Sequence, residues 1–155
     1  MRKLFLLGSH AAVGFIGFAL GIYLLPILIE EEPATVQAVT SAKQASSFQA
    51  QFKKELKGSD SLHWGEGTVS LGSQLIAFEG ELAPGPDYKL YLSPSFVEDE
   101  ETFLQAKSQM VRVADIKSFG NFVVPVPAGV EINNYNSVII WCETFSEFIT
   151  AGRYQ

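Results

Sequence analysis

The sequence predicts an all-β fold, an antiparallel β-sandwich or barrel of about 100 residues, preceded by a single transmembrane helix and a helical or flexible tether. Three observations lead to this prediction. An uncharged apolar run lies near the N-terminus, a stretch rich in Ala, Gln, Ser and Lys follows it, and the remainder consists of short runs rich in Val, Ile, Tyr and Phe. These changes divide the chain into an anchor at 1–29, a partly helical tether at 30–57 and a β domain at 58–155.

The anchor is predicted from the run Leu4–Ile29, in which no residue carries a formal charge. A helix of this length measures roughly 39 Å at about 1.5 Å per residue, which is enough to cross a bilayer with some tilt. Arg2 and Lys3 precede the run and Glu30–Glu32 follow it. Because basic residues stay on the cytoplasmic side, we expect a single-pass protein with a cytoplasmic N-terminus and a periplasmic or extracellular β domain. A cleaved signal peptide is the alternative, although its apolar region is usually only about 7–15 residues long.

One stripe of the anchor carries small and polar residues. His10, Gly14, Gly17 and Gly21 follow one another at intervals of three or four, so they share one face of the helix. Such a face allows a second helix to approach closely, and an imidazole within a membrane favours a protein neighbour over lipid. We therefore expect these four residues to pack against a partner protein in the membrane.

The tether is predicted to be partly helical. Acidic residues at 30–32 suit the start of a helix, and Gly58 suits its end. Between them Phe48, Phe52 and Leu56 recur every four residues, which would give one apolar stripe on a helix.

The β domain is predicted from short runs separated by turn signals. One exception is the segment 93–108, whose acidic start favours a short helix with Ser95 or Asp99 as its N-cap. The strands are expected at 74–82, 88–93, 111–116, 121–126, 137–143 and 147–154.

Charge and motifs exclude several classes of function. The formal net charge is −6, and beyond residue 29 the 17 acidic residues outnumber 9 basic ones, which gives −8 for that part. Nucleic-acid binding requires a basic face, so we expect no nucleic-acid partner. The sequence also lacks the usual hydrolase, kinase, P-loop and zinc motifs, and it therefore does not predict an enzyme acting on its own.

The single cysteine, Cys142, lies in the most apolar run of the β domain, Ser137–Phe145. Strand alternation places Val138, Ile140 and Cys142 on one face and Trp141 on the other. No Lys or Arg lies within ten residues of the cysteine, and buried thiols in apolar surroundings are inert. Ligation of a metal or haem is favoured over a free reactive thiolate, while a purely structural sulfur remains an alternative.

Several segments, taken in order, resemble the DM13 domain family. They are His63, "GEGTV" (65–69), "GPDYKLYLSP" (85–94), "SFGNFVVPVP" (118–127) and "YNSVIIWCETFSEFITAGRY" (135–154). The order is typical of the family: an early histidine, GPD followed by a strand, a G-N strand that ends in proline, and a strand that ends in W-C. The resemblance covers about residues 52–155.

The resemblance implies an extracytoplasmic all-β domain with a proposed role in electron transfer. In animal relatives the domain accompanies DOMON and cytochrome b561-type modules, and its cysteine is proposed to act as a free thiol or as a ligand to a group such as haem. Carried over by position, the cofactor-binding residues are Cys142, His63, Trp141 and Asp87. The resemblance names no metal, and this chain has one copy of the domain with no accompanying redox module.

Three hypotheses about function follow. The first is a membrane-anchored redox or haem-binding domain that uses Cys142. The second is a non-catalytic accessory subunit, docked by its transmembrane helix onto a larger respiratory or photosynthetic complex. The third is an envelope module that binds a ligand or mediates adhesion.

Overall fold

A computed structural model describes residues 2–155. It begins with a long helix, α1 (Arg2–Leu28), which is long and apolar enough to cross a membrane. Most of its side chains are exposed, as expected for a helix that has lipid as its solvent, whereas Pro26 near its C-terminal end is buried. The last turns of α1 therefore lie against the rest of the chain, and the preceding turns stand free of it.

A second, shorter helix, α2 (Val36–Gln44), follows. Thr35 begins it as N-cap, since its hydroxyl accepts a hydrogen bond from the backbone N–H of Ala38 at 3.2 Å. Val39 and Ala42 are buried against the neighbouring sheet. A helix in the tether is thus present, but it ends at Gln44 instead of reaching Gly58.

The predicted helical stripe through Phe48, Phe52 and Leu56 is wrong. The first two of these residues belong to strand β1 (Phe48–Phe52), in which Ala50 and Phe52 are buried. Residues 48, 50 and 52 are apolar as well, so the same segment also has the two-residue period of a strand. Pairing with the next strand decides between the two periods, because it satisfies the backbone and buries this face.

The described residues contain eight strands in two four-stranded antiparallel sheets. The first sheet has the order β1-β2-β3-β6 and the second has the order β5-β4-β7-β8. This arrangement confirms the predicted all-β fold, and it is sandwich-like. After β1, the strands are β2 (Gly65–Leu71), β3 (Leu75–Leu82), β4 (Tyr88–Ser93), β5 (Val111–Ile116), β6 (Phe122–Pro125), β7 (Ser137–Cys142) and β8 (Glu147–Arg153).

One apolar core lies between the two sheets. Alternate residues of β2 and β3 meet alternate residues of β4 and β7 there, and most of these side chains are completely buried. β7 contributes Val138, Ile140 and Cys142 to this core, the three residues that alternation places on one face. Because β7 is an interior strand whose residues are all buried, it fixes the position of Cys142 firmly.

A second cluster covers the outer face of the β5-β4-β7-β8 sheet. The predicted short helix is present as α3 (Glu100–Ala106), with Asp99 as its N-cap. Phe103 of this helix stacks on Trp141, with ring centroids 3.9 Å apart and an interplanar angle of 9°. The cluster therefore closes the side of β7 opposite to Cys142.

The junction between α1 and the β domain is a set of hydrogen bonds. Glu30 Oε1 accepts from the backbone N–H of Phe119 at 2.8 Å and from the Ser118 hydroxyl at 3.2 Å. The backbone N–H of Glu31 donates to the carbonyl of Lys117 at 3.1 Å, and the two side chains form an ion pair at 2.8 Å. The segment after α1 is thus bound to the β5–β6 loop, whereas the sequence predicted the start of a tether helix at residues 30–32; that helix begins at Val36.

The α3 cap gives the first prediction. The Asp99 carboxylate accepts from Lys57 Nζ at 2.5 Å and from the backbone N–H of Thr102 at 2.8 Å, and these bonds lower the pKa of Asp99 to about 2. Asp99→Ala should cost about 1–2 kcal/mol of unfolding free energy, measured by denaturant unfolding in detergent. Asp99→Asn keeps a capping oxygen and should cost less.

The depressed pKa of Asp99 also sets a pH dependence. Because the folded value lies below the unfolded one, this stabilisation is complete above about pH 4 and is lost as the pH falls through about 2. Asp99→Asn should remove that part of the acid dependence. If the variant and the wild type lose stability in parallel between these pH values, the ionised Asp99 carboxylate and its pair with Lys57 contribute nothing to the free energy of unfolding.

Candidate functional site

The candidate site lies at the C-terminal end of β7, where Cys142 is the last residue of the strand. Cys142 pairs with Tyr88 of β4 on one side and with Glu147 of β8 on the other. Its residue is 2% exposed, and its side chain is directed to the core between the sheets. Three strands therefore hold the sulfur in place, and it lies at the edge of the core nearest to α1.

The turn predicted from the GPD motif lies directly beside this cysteine. Gly85 allows the turn to approach Tyr88, because a Cβ atom at this position would come within 2.4 Å of the tyrosine ring. The Tyr88 hydroxyl donates to the carbonyl of Ala83 at 2.8 Å, across the turn. Burial raises the pKa of Tyr88, so its hydroxyl remains a donor at neutral pH. The motif therefore packs the turn against the cysteine strand.

Asp87 connects the turn to two other elements. Its carboxylate accepts from Lys89 Nζ at 2.5 Å and from the Thr144 hydroxyl at 3.0 Å. Its carbonyl accepts from the backbone N–H of Glu143 at 3.0 Å. The bond from Lys89 is the main cause of its lowered pKa. Asp87 thus holds the β7–β8 turn against the GPD turn; it lines a neighbouring cavity and not the one at Cys142.

A mainly apolar cavity of about 150 Å³ opens beside Cys142. Its wall combines the cysteine strand, the GPD turn, the loop before β2, the β7–β8 turn and the end of α1. The lining residues are Ile22, Tyr23, Leu62, His63, Pro84, Gly85, Pro86, Tyr88, Cys142 and Phe145. Two predicted site residues, Cys142 and His63, therefore line one cavity although 78 residues separate them in the sequence.

His63 reaches the cavity from a loop that is stabilised locally. Asp60 accepts hydrogen bonds from the backbone N–H groups of Leu62 and His63 at 2.7 and 2.8 Å. The second carboxylate oxygen of Asp60 lies 3.1 Å from His63 Nδ1. This contact orients the ring and leaves Nε2 as the imidazole nitrogen without a bond to Asp60.

The thiol of Cys142 is not activated. Burial raises its pKa, and this effect outweighs the opposing hydrogen bonds from backbone amides. Among the described residues, no lysine or arginine lines the cavity. Since the thiolate is the reactive form, Cys142 has the environment of an inert thiol toward water-soluble reagents at neutral pH.

Trp141 lies on the opposite face of β7 and does not line the Cys142 cavity. It packs under Phe103, and its Nε1 is buried with no hydrogen-bond partner in the described chain. The structure therefore separates Trp141 and Asp87 from the cavity that Cys142 and His63 share. A cofactor-binding role for these four residues remains a prediction.

Most of the cavity wall does not follow from the sequence. The sequence predicts Tyr88 only as part of a strand, and it predicts no site role for Ile22, Tyr23, Leu62 or Phe145. A signal for the last two is present: each is a large apolar residue within a polar turn segment, "SDSLHW" and "ETFSEF". Single exposed apolar residues are normal, but residues that gather in one patch indicate an interaction site, and the sequence does not show that these two gather.

The glycine stripe of α1 lies away from this site. His10 is exposed, and its Nδ1 lies 2.7 Å from the Leu6 carbonyl of the same helix. A Cβ atom at Gly14, Gly17 or Gly21 would meet nothing within 4 Å in the described chain. The stripe is thus available to a partner, and packing through it remains a prediction.

Haem, which the family resemblance raised for Cys142, does not fit this cavity. Its volume of about 150 Å³ is below the roughly 300–1,000 Å³ of typical small-molecule sites, and a tetrapyrrole needs a large one. The described residues also contain no cluster of three or more His, Cys, Asp or Glu that would suit a metal ion.

A family comparison matches residues 37–154 with the family described as "Electron transfer DM13". The chain belongs to the DM13 family. This match confirms the resemblance found from the sequence, with a single copy of the domain. The match also begins before β1, so the DM13 domain includes most of α2 and the strand that the sequence analysis assigned to the tether. No curated protein and no solved structure matches the chain.

The burial of the cysteine in the DM13 core gives a prediction for Cys142→Ser. A hydroxyl in this apolar position should cost about 1–3 kcal/mol of unfolding free energy unless it finds an acceptor. Denaturant unfolding of the full chain in detergent measures the difference. A cost near zero would show that the sulfur is exposed to water.

Thiol reactivity gives a separate prediction. At pH 7, the rate at which N-ethylmaleimide alkylates Cys142 should be about tenfold or more lower in the native protein than in the guanidinium-unfolded protein. Only the thiolate reacts, and burial disfavours it in the native protein. The native rate should increase as the pH rises above 9. Equal native and unfolded rates at pH 7 would contradict the burial described above.

Proposed function

We propose that this DM13 protein is a single-pass membrane protein that binds the ring of a lipid-soluble electron carrier, of the quinone class, in the Cys142 cavity. The protein is not an enzyme on its own; it holds the carrier for a redox partner in the same membrane. The observation that carries this proposal is the meeting of Cys142 and His63 in one apolar cavity beside the end of α1.

The size of the cavity limits its ligand to about one ring. An apolar cavity of roughly 150 Å³ accommodates one six-membered aromatic ring, and the cavity beside Cys142 has about this volume. Quinones are electron carriers that combine such a ring with a tail soluble in lipid. The volume thus agrees with the electron-transfer description of the family without requiring haem.

The polar groups of the cavity suit a ring with oxygen substituents. His63 offers an imidazole nitrogen beyond its contact with Asp60, and the Cys142 thiol stays protonated because burial raises its pKa. When His63 Nδ1–H donates to Asp60, the other nitrogen of a neutral imidazole accepts a hydrogen bond and suits the hydroxyl of a reduced ring, whereas the thiol is a weak donor that suits a carbonyl oxygen. A neutral ring with hydroxyl or carbonyl oxygens complements this lining better than an anion would, since no lysine or arginine lines the described cavity.

The proposed orientation in the membrane follows from charge. Arg2 and Lys3 stand before the apolar helix and Glu30–Glu32 after it, which supports an extracytoplasmic β domain. A quinone held there must exchange electrons with another protein, and the exposed stripe of Gly14, Gly17 and Gly21 is the face through which α1 would dock on it.

Ligand binding can be tested with decylubiquinone, a fully substituted quinone that thiols do not attack by addition. A ligand at 100 times its Kd stabilises the native state by about 2.7 kcal/mol, which raises the Tm of a small domain by several degrees. We expect this increase for the full chain in detergent, and we expect none with decanol, which has the tail without the ring.

Matched variants connect the binding to the cavity. His63→Phe keeps a ring but loses the imidazole nitrogen, and it should weaken the decylubiquinone shift. Leu75→Ala, at an exposed position outside the cavity, should leave the shift unchanged. The proposal fails if decylubiquinone and decanol give equal shifts, or if the two variants respond alike.

A further inference from the structure

Exposed apolar side chains gather around the end of α1. Leu62 and Phe145 are 57% and 49% exposed, although each lies in a turn, and Tyr23 of α1 is 49% exposed beside them. All three line the Cys142 cavity. Together with Ile22, they form an apolar rim, which here means Ile22, Tyr23, Leu62 and Phe145.

The position of this rim along α1 determines what covers it. Counting from Leu4, about 20 residues cross a hydrocarbon core of roughly 30 Å, so the crossing extends to about Tyr23. Tyrosine is enriched at the boundary between hydrocarbon and headgroups. Any part of the β domain that contacts Ile22 and Tyr23 therefore lies at that boundary.

Residues farther along α1 lead to the same conclusion. Leu25, Leu28 and Ile29 are 55%, 80% and 68% exposed, so the exposed apolar surface of this segment continues past Tyr23. If the membrane boundary lies at Ile29, the residues that contact Ile22 are about 10 Å deeper, at about 1.5 Å per residue. In either position of the boundary, Leu62 and Phe145 lie at or below the headgroups.

Charged residues are arranged consistently with this orientation. The ion pair of Lys117 with Glu31 lies beyond the C-terminal end of α1. The charged residues of the neighbouring cavity line it together with Pro26 and Ile29, whereas no such residue of the described chain lines the cavity at Ile22 and Tyr23. Asp60 is the nearest charged neighbour of Leu62, and its carboxylate is occupied by the backbone N–H groups of Leu62 and His63. Leu62 can thus enter the interface while its own loop satisfies its backbone.

We propose that the β domain lies on the membrane surface with Leu62 and Phe145 inserted into the outer leaflet of the bilayer that α1 crosses. The partner of the apolar rim is therefore lipid. This inference rests on the proposed membrane crossing of α1. It implies that the Cys142 cavity opens toward the lipid, so that its ligand arrives from the membrane and not from water.

The depth of single spin labels tests the inference. Leu62→Cys, Phe145→Cys and Leu75→Cys are each labelled in a Cys142→Ala background, and the full chain is placed in phosphatidylcholine nanodiscs, whose headgroups carry no net charge. Leu75 is 38% exposed and apolar, but it lies at the start of β3. It is about 24 Å along β3 from Leu82, at about 3.4 Å per residue. The backbone N–H of Leu82 donates to the carbonyl of Phe119, in the loop that holds the end of α1, so Leu75 lies far from α1.

We expect the ratio of oxygen to aqueous nickel accessibility to be several-fold higher at Leu62 and Phe145 than at Leu75. If all three labels are equally accessible to the nickel complex, the domain does not rest on the membrane and the inference is wrong. A fourth label at Phe15→Cys, in the middle of α1, separates the two claims. If the label at Phe15 is buried in lipid while those at Leu62 and Phe145 are exposed to water, only this inference is wrong. If the label at Phe15 is exposed to water, α1 does not cross the membrane.

A second measurement keeps Cys142 in place. Phe145→Trp and Leu75→Trp each add one indole to the same chain, and nitroxide-labelled lipids quench only indoles near the acyl chains. Quenching should increase for Phe145→Trp and stay at the wild-type level for Leu75→Trp. Equal quenching of the two variants would contradict insertion. Because both variants retain Cys142, this result would not depend on the Cys142→Ala substitution.

Discussion

The structure depends on the hydrogen bonds that fix the end of α1 to the β5–β6 loop. A carboxylate that accepts a backbone N–H forms a strong, charge-assisted bond, and Glu30 does so with Phe119 at 2.8 Å. The backbone bond from Glu31 to Lys117 adds a second attachment next to it. Because two adjacent attachments restrict rotation more than one, they hold the end of α1 at one place on the sandwich. The α1 side of the Cys142 cavity, formed by Ile22 and Tyr23, follows from this constraint.

The chemistry of the cavity follows from the burial of β7. A thiol 2% exposed at the edge of an apolar core is disfavoured as an anion, so Cys142 gains its importance from its neighbours and not from its nucleophilicity. Those neighbours are a locally oriented imidazole, the Tyr88 ring and the apolar residues of the rim. A neutral ligand of one ring suits this set, whereas haem exceeds its volume and a metal ion lacks ligands among the described residues.

Much of this fold was predictable from the sequence, and the exceptions have physical causes. The strands from 88–93 and 111–116 agree with the structure because their apolar residues have no competing helical period. Phe48 and Phe52 fit both periods, and only the partner strand β2 decides between them. That Cys142 shares a face with Val138 and Ile140 follows from alternation within one strand. Its meeting with His63 does not, because that depends on the pairing of β7 with β4 and on the packing of a distant loop.

The fixed position of α1 against the domain is tested most directly by cross-linking. Tyr23→Cys and Phe145→Cys are combined in a Cys142→Ala background, since both residues line one cavity, and Tyr23→Cys with Leu75→Cys serves as the comparison. A short bifunctional maleimide should join the first pair within one chain in membranes, at a rate well above that of the second pair. Equal, slow rates for both pairs would show that the domain moves freely on its tether, and the cavity would then not exist as a site.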